Sequence, residues 1–159
     1  MDYNKTSTSQ AEKVLFELYN VKGKVTNLPG ELDANFKIKV DGINKYILKI
    51  SPENSDTNEL DFQQKILEYL ASKNTNLISP KVVLDKNKKA ISETSLDKTT
   101  TLKVRLLTWI EGRVWSSVNP QLNNLRFSLG EKAGELTKNL QGFQHKKAIR
   151  DFDWDVAQG

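Results

Sequence analysis

Two alternating apolar runs flank the dipeptide Asp41-Gly42, and this arrangement constrains the fold more than any other stretch of the chain. In residues 35–40 apolar side chains alternate with lysines. In residues 45–51, which read KYILKIS, one side carries Tyr46, Leu48 and Ile50 and the other carries Ile47 and Lys49. A period of two is typical of β-strands, and Asp-Gly between two strands favours a type I′ turn. The sequence therefore predicts an antiparallel hairpin.

Lys49 lies near the end of the second of these strands, where a lysine ordinarily points to solvent. A two-residue loop at the turn pairs Phe36 with Ile47, and by the same count it pairs Ala34 with Lys49. Cross-strand partners lie on one face of a sheet. We therefore expect Lys49 at the edge of the apolar face that carries Phe36, Ile38 and Ile47.

Helical periodicity recurs in two segments around this hairpin. STSQAEKVLFELY begins with Ser9 and Glu12 at the spacing of a capping box, and its apolar residues then fall on one face. Residues 54–72 predict a second helix, whose apolar stripe also carries Glu59 and Gln63. A carboxylate and an amide thus extend the inward face of the helix that follows the lysine strand.

The second half of the chain predicts a hairpin, a strand and a long helix. We expect the hairpin around residues 85–88 and the strand over residues 102–109. Apolar residues in steps of three and four follow Asn119 and Pro120, which suit the cap and the first position of a helix. The tail after this helix shows no clear periodicity.

Composition and motifs exclude several classes of function. The chain has no Cys and one His, so disulfides, thiolate metal sites and cysteine nucleophiles are ruled out. Neither GxGxxG nor a Walker-type GxxxxGK[ST] is present, and no apolar run reaches the roughly 20 residues of a membrane span. Asp151 and Asp153 in DFDWD have oxygen ligands for Mg²⁺, but such acids more often cap or solvate a loop, so we expect no metal site here.

What remains is an ordered set of polar features. A turn-rich loop, NLPGELDAN, lies between two strands, an inward lysine follows, and a helix then presents Glu59 and Gln63. This order is typical of a lobe that holds a nucleotide, in which the loop covers the phosphates and the lysine neutralises their charge. A linker after the last strand would offer backbone groups to a purine.

Four segments in this order resemble the N-terminal lobe of the aminoglycoside phosphotransferase and choline kinase superfamily, and within it the hydroxylysine-kinase-like group. They are LPGELDANFKIKV, KYILKIS, ELDFQQKILEYL and VRLLTWIEGRVW, and a helix similar to the family's follows them. The resemblance implies an α+β, protein-kinase-like lobe: a twisted antiparallel sheet of about five strands with flanking helices, a hinge and the first helix of a C-terminal lobe. We expect residues 1–109 to form the nucleotide-binding lobe and residues 110–159 the linker and the start of a truncated helical lobe.

The resemblance also implies roles for individual residues. Lys49 would contact the α- and β-phosphates of ATP or GTP, and Glu59 or Gln63 would orient it. The loop over the phosphates and the hinge beside the base would contribute Gly30, Glu31, Asp33, Asn35, Thr108, Trp109 and Ile110.

One part of the family pattern is absent. The catalytic loop, His-x-Asp followed by Asn, and the metal-binding acid after it do not occur in the chain. We therefore expect a fragment of a longer cytoplasmic kinase, inactive by itself, whose catalytic residues and Mg²⁺ ligands lie in the missing part. The complete enzyme would transfer the γ-phosphoryl group to a hydroxyl of an amino alcohol, a hydroxylated amino acid or a similar metabolite. Some relatives are fused to a class III aminotransferase, so the parent chain could carry one.

A non-catalytic binding module is the alternative. The net charge is +4, and lysines of the predicted hairpins could form a patch for nucleic acid. Against it, the aromatic residues sit at core periodicities and do not alternate with these lysines as stacking platforms. The lysines concerned are Lys37, Lys39, Lys81, Lys86, Lys88 and Lys89.

Overall fold

Six antiparallel strands form one sheet in the computed structural model, which describes residues 6–73, 75–96 and 100–149. The order across the sheet is β1-β2-β3-β6-β4, and β5 also pairs with β6. The α+β lobe predicted from the sequence is therefore confirmed, with one strand more than expected. The strands are β1 (Lys24–Leu28), β2 (Ala34–Val40), β3 (Ile43–Ser51), β4 (Val82–Val83), β5 (Ser92–Ser95) and β6 (Thr101–Thr108), and the helices are α1 (Thr8–Tyr19), α2 (Thr57–Ser72) and α3 (Asn123–Leu140).

The β2–β3 hairpin has the predicted turn but a different register. Asp41 and Gly42 have φ angles of 49° and 79°, the left-handed values that a type I′ turn requires. The pairing then shifts by one residue, because β3 carries an extra residue where β2 passes from Lys39 to Ile38. The predicted pairing of Phe36 with Ile47 is therefore wrong, since Phe36 lies opposite Leu48.

This shift changes the face on which Lys49 lies. A one-residue slip moves every later side chain of a strand to the other face. Lys49 pairs with Asn35 instead of Ala34, so it shares a face with Ile47. The expectation that Phe36 and Ile38 lie on that face as well is wrong. The bulge therefore places Lys49 on the face of the hairpin opposite the core residues Phe36 and Ile38.

The core lies between α1 and the other face of the sheet. Ala11, Val14, Leu15 and Tyr19 of α1 are buried, as the periodicity predicted, against strand residues that include Phe36, Ile38, Leu48, Ile50, Val104 and Leu106. The capping box of α1 is formed by Ser7 and Gln10. The prediction that Ser9 and Glu12 form it is wrong, because the helix begins two residues earlier.

Helix α2 buries a different set of residues from the one that its periodicity suggested. Leu60, Phe62, Gln64 and Leu70 are buried, whereas Gln63 is exposed. Gln64 donates from Nε2 to the Ala90 carbonyl at 3.0 Å. The helix has neighbours on two sides, since the Phe62 ring also lies 6.0 Å from the Phe143 ring, and a single apolar stripe does not describe its contacts.

The predicted hairpin at residues 85–88 is not a β-hairpin. Strands β4 and β5 both pair with β6 and lie one after the other along its edge. Between them the chain turns around buried Asp85, whose carboxylate accepts from the N–H groups of Asn87 and Lys89 and from Ser92 Oγ. The Asp85 N–H also donates to the Lys89 carbonyl at 2.9 Å. The prediction of a β-hairpin is wrong because β4 and β5 pair with β6 and not with each other.

Helix α3 begins later than predicted and is little buried. Its N-cap is Leu122, without a side-chain cap, so the assignment of Asn119 and Pro120 to the helix start is wrong. Leu125, Leu129 and Leu136, which lie on the predicted apolar stripe, are 38%, 51% and 38% exposed. Among the helices of residues 6–73, 75–96 and 100–149, none is long and apolar enough to span a bilayer.

Candidate functional site

Asp33 is the centre of a polar cluster on the face of the sheet opposite the α1 core. It immediately precedes β2, and its carboxylate reaches β3 and β6. One carboxylate oxygen, Oδ2, lies 3.0 Å from Lys49 Nζ and 2.7 Å from Arg105 Nη2. The other, Oδ1, accepts a hydrogen bond of 2.6 Å from Ser51 Oγ. One carboxylate thus connects the β1–β2 loop to β3 and β6.

Lys49 is held on two sides and remains partly exposed. In the sheet it lies between Asn35 on β2 and Arg105 on β6. Its ammonium donates to Asn35 Oδ1 at 2.9 Å and pairs with Asp33. A lysine ammonium has three donors, so these two partners leave one N–H group for another acceptor. With its side chain 22% exposed, Lys49 is accessible to a ligand.

Arg105 is the most deeply buried charged member of the cluster. The residue is 1% exposed, and its Nη1 donates to Gln63 Oε1 of α2 at 2.6 Å. Its Nη2 donates to Asp33 and, at 3.1 Å, to Ser51 Oγ. The sequence reasoning missed this residue, although an arginine inside the apolar strand LKVRLLTW is the same kind of signal that singled out Lys49.

The cluster keeps Asp33 ionised. Burial alone would raise the pKa of Asp33, but the hydrogen bond from Ser51 and the positive charges of Lys49 and Arg105 outweigh burial and lower that pKa below its ordinary value. Burial lowers the pKa of the Arg105 guanidinium from its ordinary value, and the charge of Asp33 opposes this shift. A guanidinium stays protonated in proteins, so two cations share one anion and the cluster keeps a net positive charge.

The β1–β2 loop is fixed against this cluster by Asn35 and Gly30. Asn35 Nδ2 donates to the Pro29 carbonyl at 3.2 Å while its Oδ1 accepts from Lys49. A Cβ at Gly30 would collide with the Asn35 side chain and the Asp33 carbonyl, so the loop can take this path only with glycine at this position. Glu31 is exposed on the same loop. A cavity of about 320 Å³ adjoins the loop and is lined in part by Pro29, Gly30 and Asn35.

Helix α2 is linked to Lys49 through Arg105 and Asp33. Among residues 6–73, 75–96 and 100–149, the partners of the Lys49 ammonium are Asp33 and Asn35, whereas Gln63 accepts from Arg105. The expectation that Glu59 or Gln63 orients Lys49 therefore stays a prediction. The acid that pairs with Lys49 is Asp33 of the β1–β2 loop, because the register shift of the hairpin places Asp33 beside β3.

The predicted hinge residues follow the end of β6. The Thr108 N–H donates to the Lys81 carbonyl at 2.9 Å, and the Trp109 N–H donates to the Lys45 carbonyl at 2.8 Å. Both groups are therefore engaged within the lobe. Ile110 is exposed beyond them, and the Lys37 ammonium lies 5.8 Å from the centre of the Trp109 ring.

Two comparisons with known proteins agree with this architecture. Residues 24–157 match the family described as APH, phosphotransferase enzyme family. A structure of the amicoumacin kinase hAmiN in complex with AMP-PNP, Ca²⁺ and Ami is similar over 96% of this chain and 46% of its own, with a TM-score of 0.74 and 18% identity. A microcompartment-associated aminopropanol kinase is similar over 94% of this chain and 45% of its own, with a TM-score of 0.65 and 16% identity. No curated protein matched the chain. The chain thus spans about half the length of these two solved structures.

Proposed function

The chain belongs to the phosphotransferase enzyme family, and on that premise we propose that it is the nucleotide-binding part of a small-molecule kinase. The observation that carries the proposal is the partly exposed ammonium of Lys49 in a cluster of net positive charge, beside a loop that requires glycine. Triphosphates are polyanions, and a fixed cation next to backbone that a ligand can approach closely suits them. The nucleotide would be ATP or GTP.

We assign three groups of contacts to the nucleotide. The third N–H of Lys49 would donate to the α- or β-phosphate, and the loop from Gly30 to Asn35, which includes Glu31 and Asp33, would lie over the phosphates. Because the N–H groups of Thr108 and Trp109 are engaged, the base would contact their carbonyl groups and the backbone of Ile110. Glu59 and Gln63 would support the site from α2, Gln63 by way of Arg105.

The remaining parts of a kinase would lie outside this chain. We propose that residues 1–109 are the nucleotide lobe and that residues 110–159 begin a second, helical lobe. The complete protein would supply the catalytic base and the acids that hold Mg²⁺. Its acceptor would be a hydroxyl of an amino alcohol, a hydroxylated amino acid or a similar metabolite, and the name of the aminopropanol kinase, an amino alcohol kinase, is in line with this class. A cytoplasmic location and a fused aminotransferase stay predictions.

Calorimetric titration of the purified chain with ATP tests the proposal. Wild type should bind, and Lys49→Ala should weaken binding by roughly 10- to 150-fold, the loss expected for a charge-assisted contact of about 1.5–3 kcal/mol. Lys39→Ala removes a lysine from β2, further from the cluster, and should leave affinity unchanged. Failure of wild type to bind ATP or GTP, or equal affinity of Lys49→Ala and wild type, would contradict the proposal. Salt-sensitive binding of single-stranded DNA that ATP does not displace would favour the basic binding module instead.

A further inference from the structure

Arg105 is a buried cation that faces a second cation across the sheet. It lies directly opposite Lys49 in the β3–β6 pairing, so two cations face each other across neighbouring strands. Like charges in such positions destabilise a sheet. Since the Arg105 side chain is 2% exposed, it is not available to contact a bound nucleotide as Lys49 is.

Asp33 offsets the repulsion between Lys49 and Arg105, but its negative charge also acts against the attraction of Lys49 for phosphate. The same carboxylate oxygen pairs with both cations, at 3.0 Å and 2.7 Å. With Asp33 and Lys49 alone, however, the charges would cancel, and the lysine would attract phosphate weakly. The positive charge of Arg105 offsets the negative charge of Asp33, so the exposed ammonium of Lys49 remains the uncompensated charge of the cluster.

Arg105 is itself fixed in position. One guanidinium nitrogen donates to Gln63 of α2, and the other donates to Asp33 and Ser51. A planar guanidinium held at two points keeps the carboxylate of Asp33 in one orientation. Asp33 and Asn35 then occupy two donors of Lys49 and direct the third away from the cluster.

We propose that Arg105 is a positioning residue for nucleotide binding: it holds Asp33 against Lys49 and offsets the charge of Asp33, so that Lys49 stays oriented and attractive to phosphate. The inference rests on the proposed function. It differs from a purely structural role of Arg105, because a loss of Arg105 should be repaired in part by neutralising Asp33.

Calorimetric titration of the 159-residue chain with ATP, on a set of charge variants, makes this distinction. Arg105→Met should weaken ATP binding by about tenfold, the lower end for a charge-assisted contact. In the double variant Asp33→Asn/Arg105→Met, Lys49 is again uncompensated, and ATP should bind at least about threefold more tightly than to Arg105→Met. Lys103→Met is the matched control, because Lys103 lies two residues away on β6 but donates to the Glu53 and Ser55 carbonyls. It should bind ATP like wild type.

Two outcomes overturn the inference while leaving the proposed function intact. One is wild-type affinity in Arg105→Met under conditions in which Lys49→Ala loses affinity, and the other is a double variant no tighter than Arg105→Met. Should Arg105→Met fail to fold, Arg105→Lys replaces it. This variant keeps the charge but loses the planar fork that contacts Gln63 and Asp33, so its loss of ATP affinity should be smaller than that of Lys49→Ala. A loss in Arg105→Lys as large as that in Lys49→Ala would contradict the charge argument. If wild type itself binds neither ATP nor GTP, the proposed function fails and the inference fails with it.

Discussion

Replacing Asp33 by Asn should lower the free energy of unfolding more than any other single change in the polar cluster. Asn keeps an oxygen for Ser51 but removes the charge that both Lys49 and Arg105 share. The Arg105 guanidinium, 2% exposed, is then left without an anion. Removing one partner of a buried ion pair lowers the free energy of unfolding by about 3–5 kcal/mol. Because the Asp33 side chain is 13% exposed, we expect the lower end of this range, about 3 kcal/mol.

The loss should be smaller when the arginine is removed instead. In Arg105→Met, Asp33 still pairs with Lys49 and accepts from Ser51, so no ion is stranded. The double variant Asp33→Asn/Arg105→Met removes both buried charges and should be more stable than Asp33→Asn alone, because an apolar replacement of a buried pair is often neutral. The two sites should therefore be strongly non-additive.

Urea unfolding followed by circular dichroism measures these differences, and thermal melts provide a check. A loss of about 3 kcal/mol corresponds to a fall in Tm of roughly 6–12 °C for a chain of this size. An Asp33→Asn variant within about 0.5 kcal/mol of wild type, the range of ordinary surface substitutions, would refute the assignment of Asp33 as the shared anion. Additive losses in the double variant would refute the coupling.

Three further predictions concern acid stability, the loop and activity. The pKa of Asp33 is lowered in the folded state from its ordinary value of 3.8, so the stability that its charge contributes is present above pH 3.8 and is lost as the pH falls further. In urea unfolding at a series of pH values, the free energy of unfolding of Asp33→Asn should therefore fall less steeply in acid than that of wild type. Gly30→Ala should displace Asn35 from the Lys49 ammonium and weaken ATP binding by at least about threefold, which is the loss of even a weak hydrogen bond, whereas Gly134→Ala, where a Cβ meets open space, should not. The purified chain should transfer no phosphate from ATP to an amino alcohol in a coupled assay, because the family's catalytic pattern, His-x-Asp followed by Asn, does not occur in its sequence. Turnover would show that the catalytic groups had been misassigned.

Local signals in the sequence predicted the elements better than their pairing. The left-handed residues of the Asp41-Gly42 turn are encoded in the dipeptide itself, and the buried face of α1 follows from its period. The register is not local, because one extra residue in β3 reverses the face of every residue that follows. The prediction placed Lys49 with Phe36 for this reason.

The candidate site was predicted only in part, for a related reason. Lys49 was identified because a cation inside an apolar strand is unusual, and Arg105 carries the same signal. The anion that pairs with Arg105 could not be found by spacing, because Asp33 lies 72 residues away in the sequence. The two residues meet only when β2, β3 and β6 are assembled. For α3, the period identifies an apolar stripe but not what covers it, and Leu125 and Leu129 lie exposed.

A crystal structure of the chain with a non-hydrolysable ATP analogue tests the central claim most directly. We predict that an α- or β-phosphate oxygen lies within hydrogen-bond distance, about 3 Å, of Lys49 Nζ, while Asp33 still bridges Lys49 and Arg105. The base should lie against the backbone of Trp109 and Ile110. A nucleotide bound elsewhere, or one at this site whose phosphates do not contact Lys49, would contradict the account.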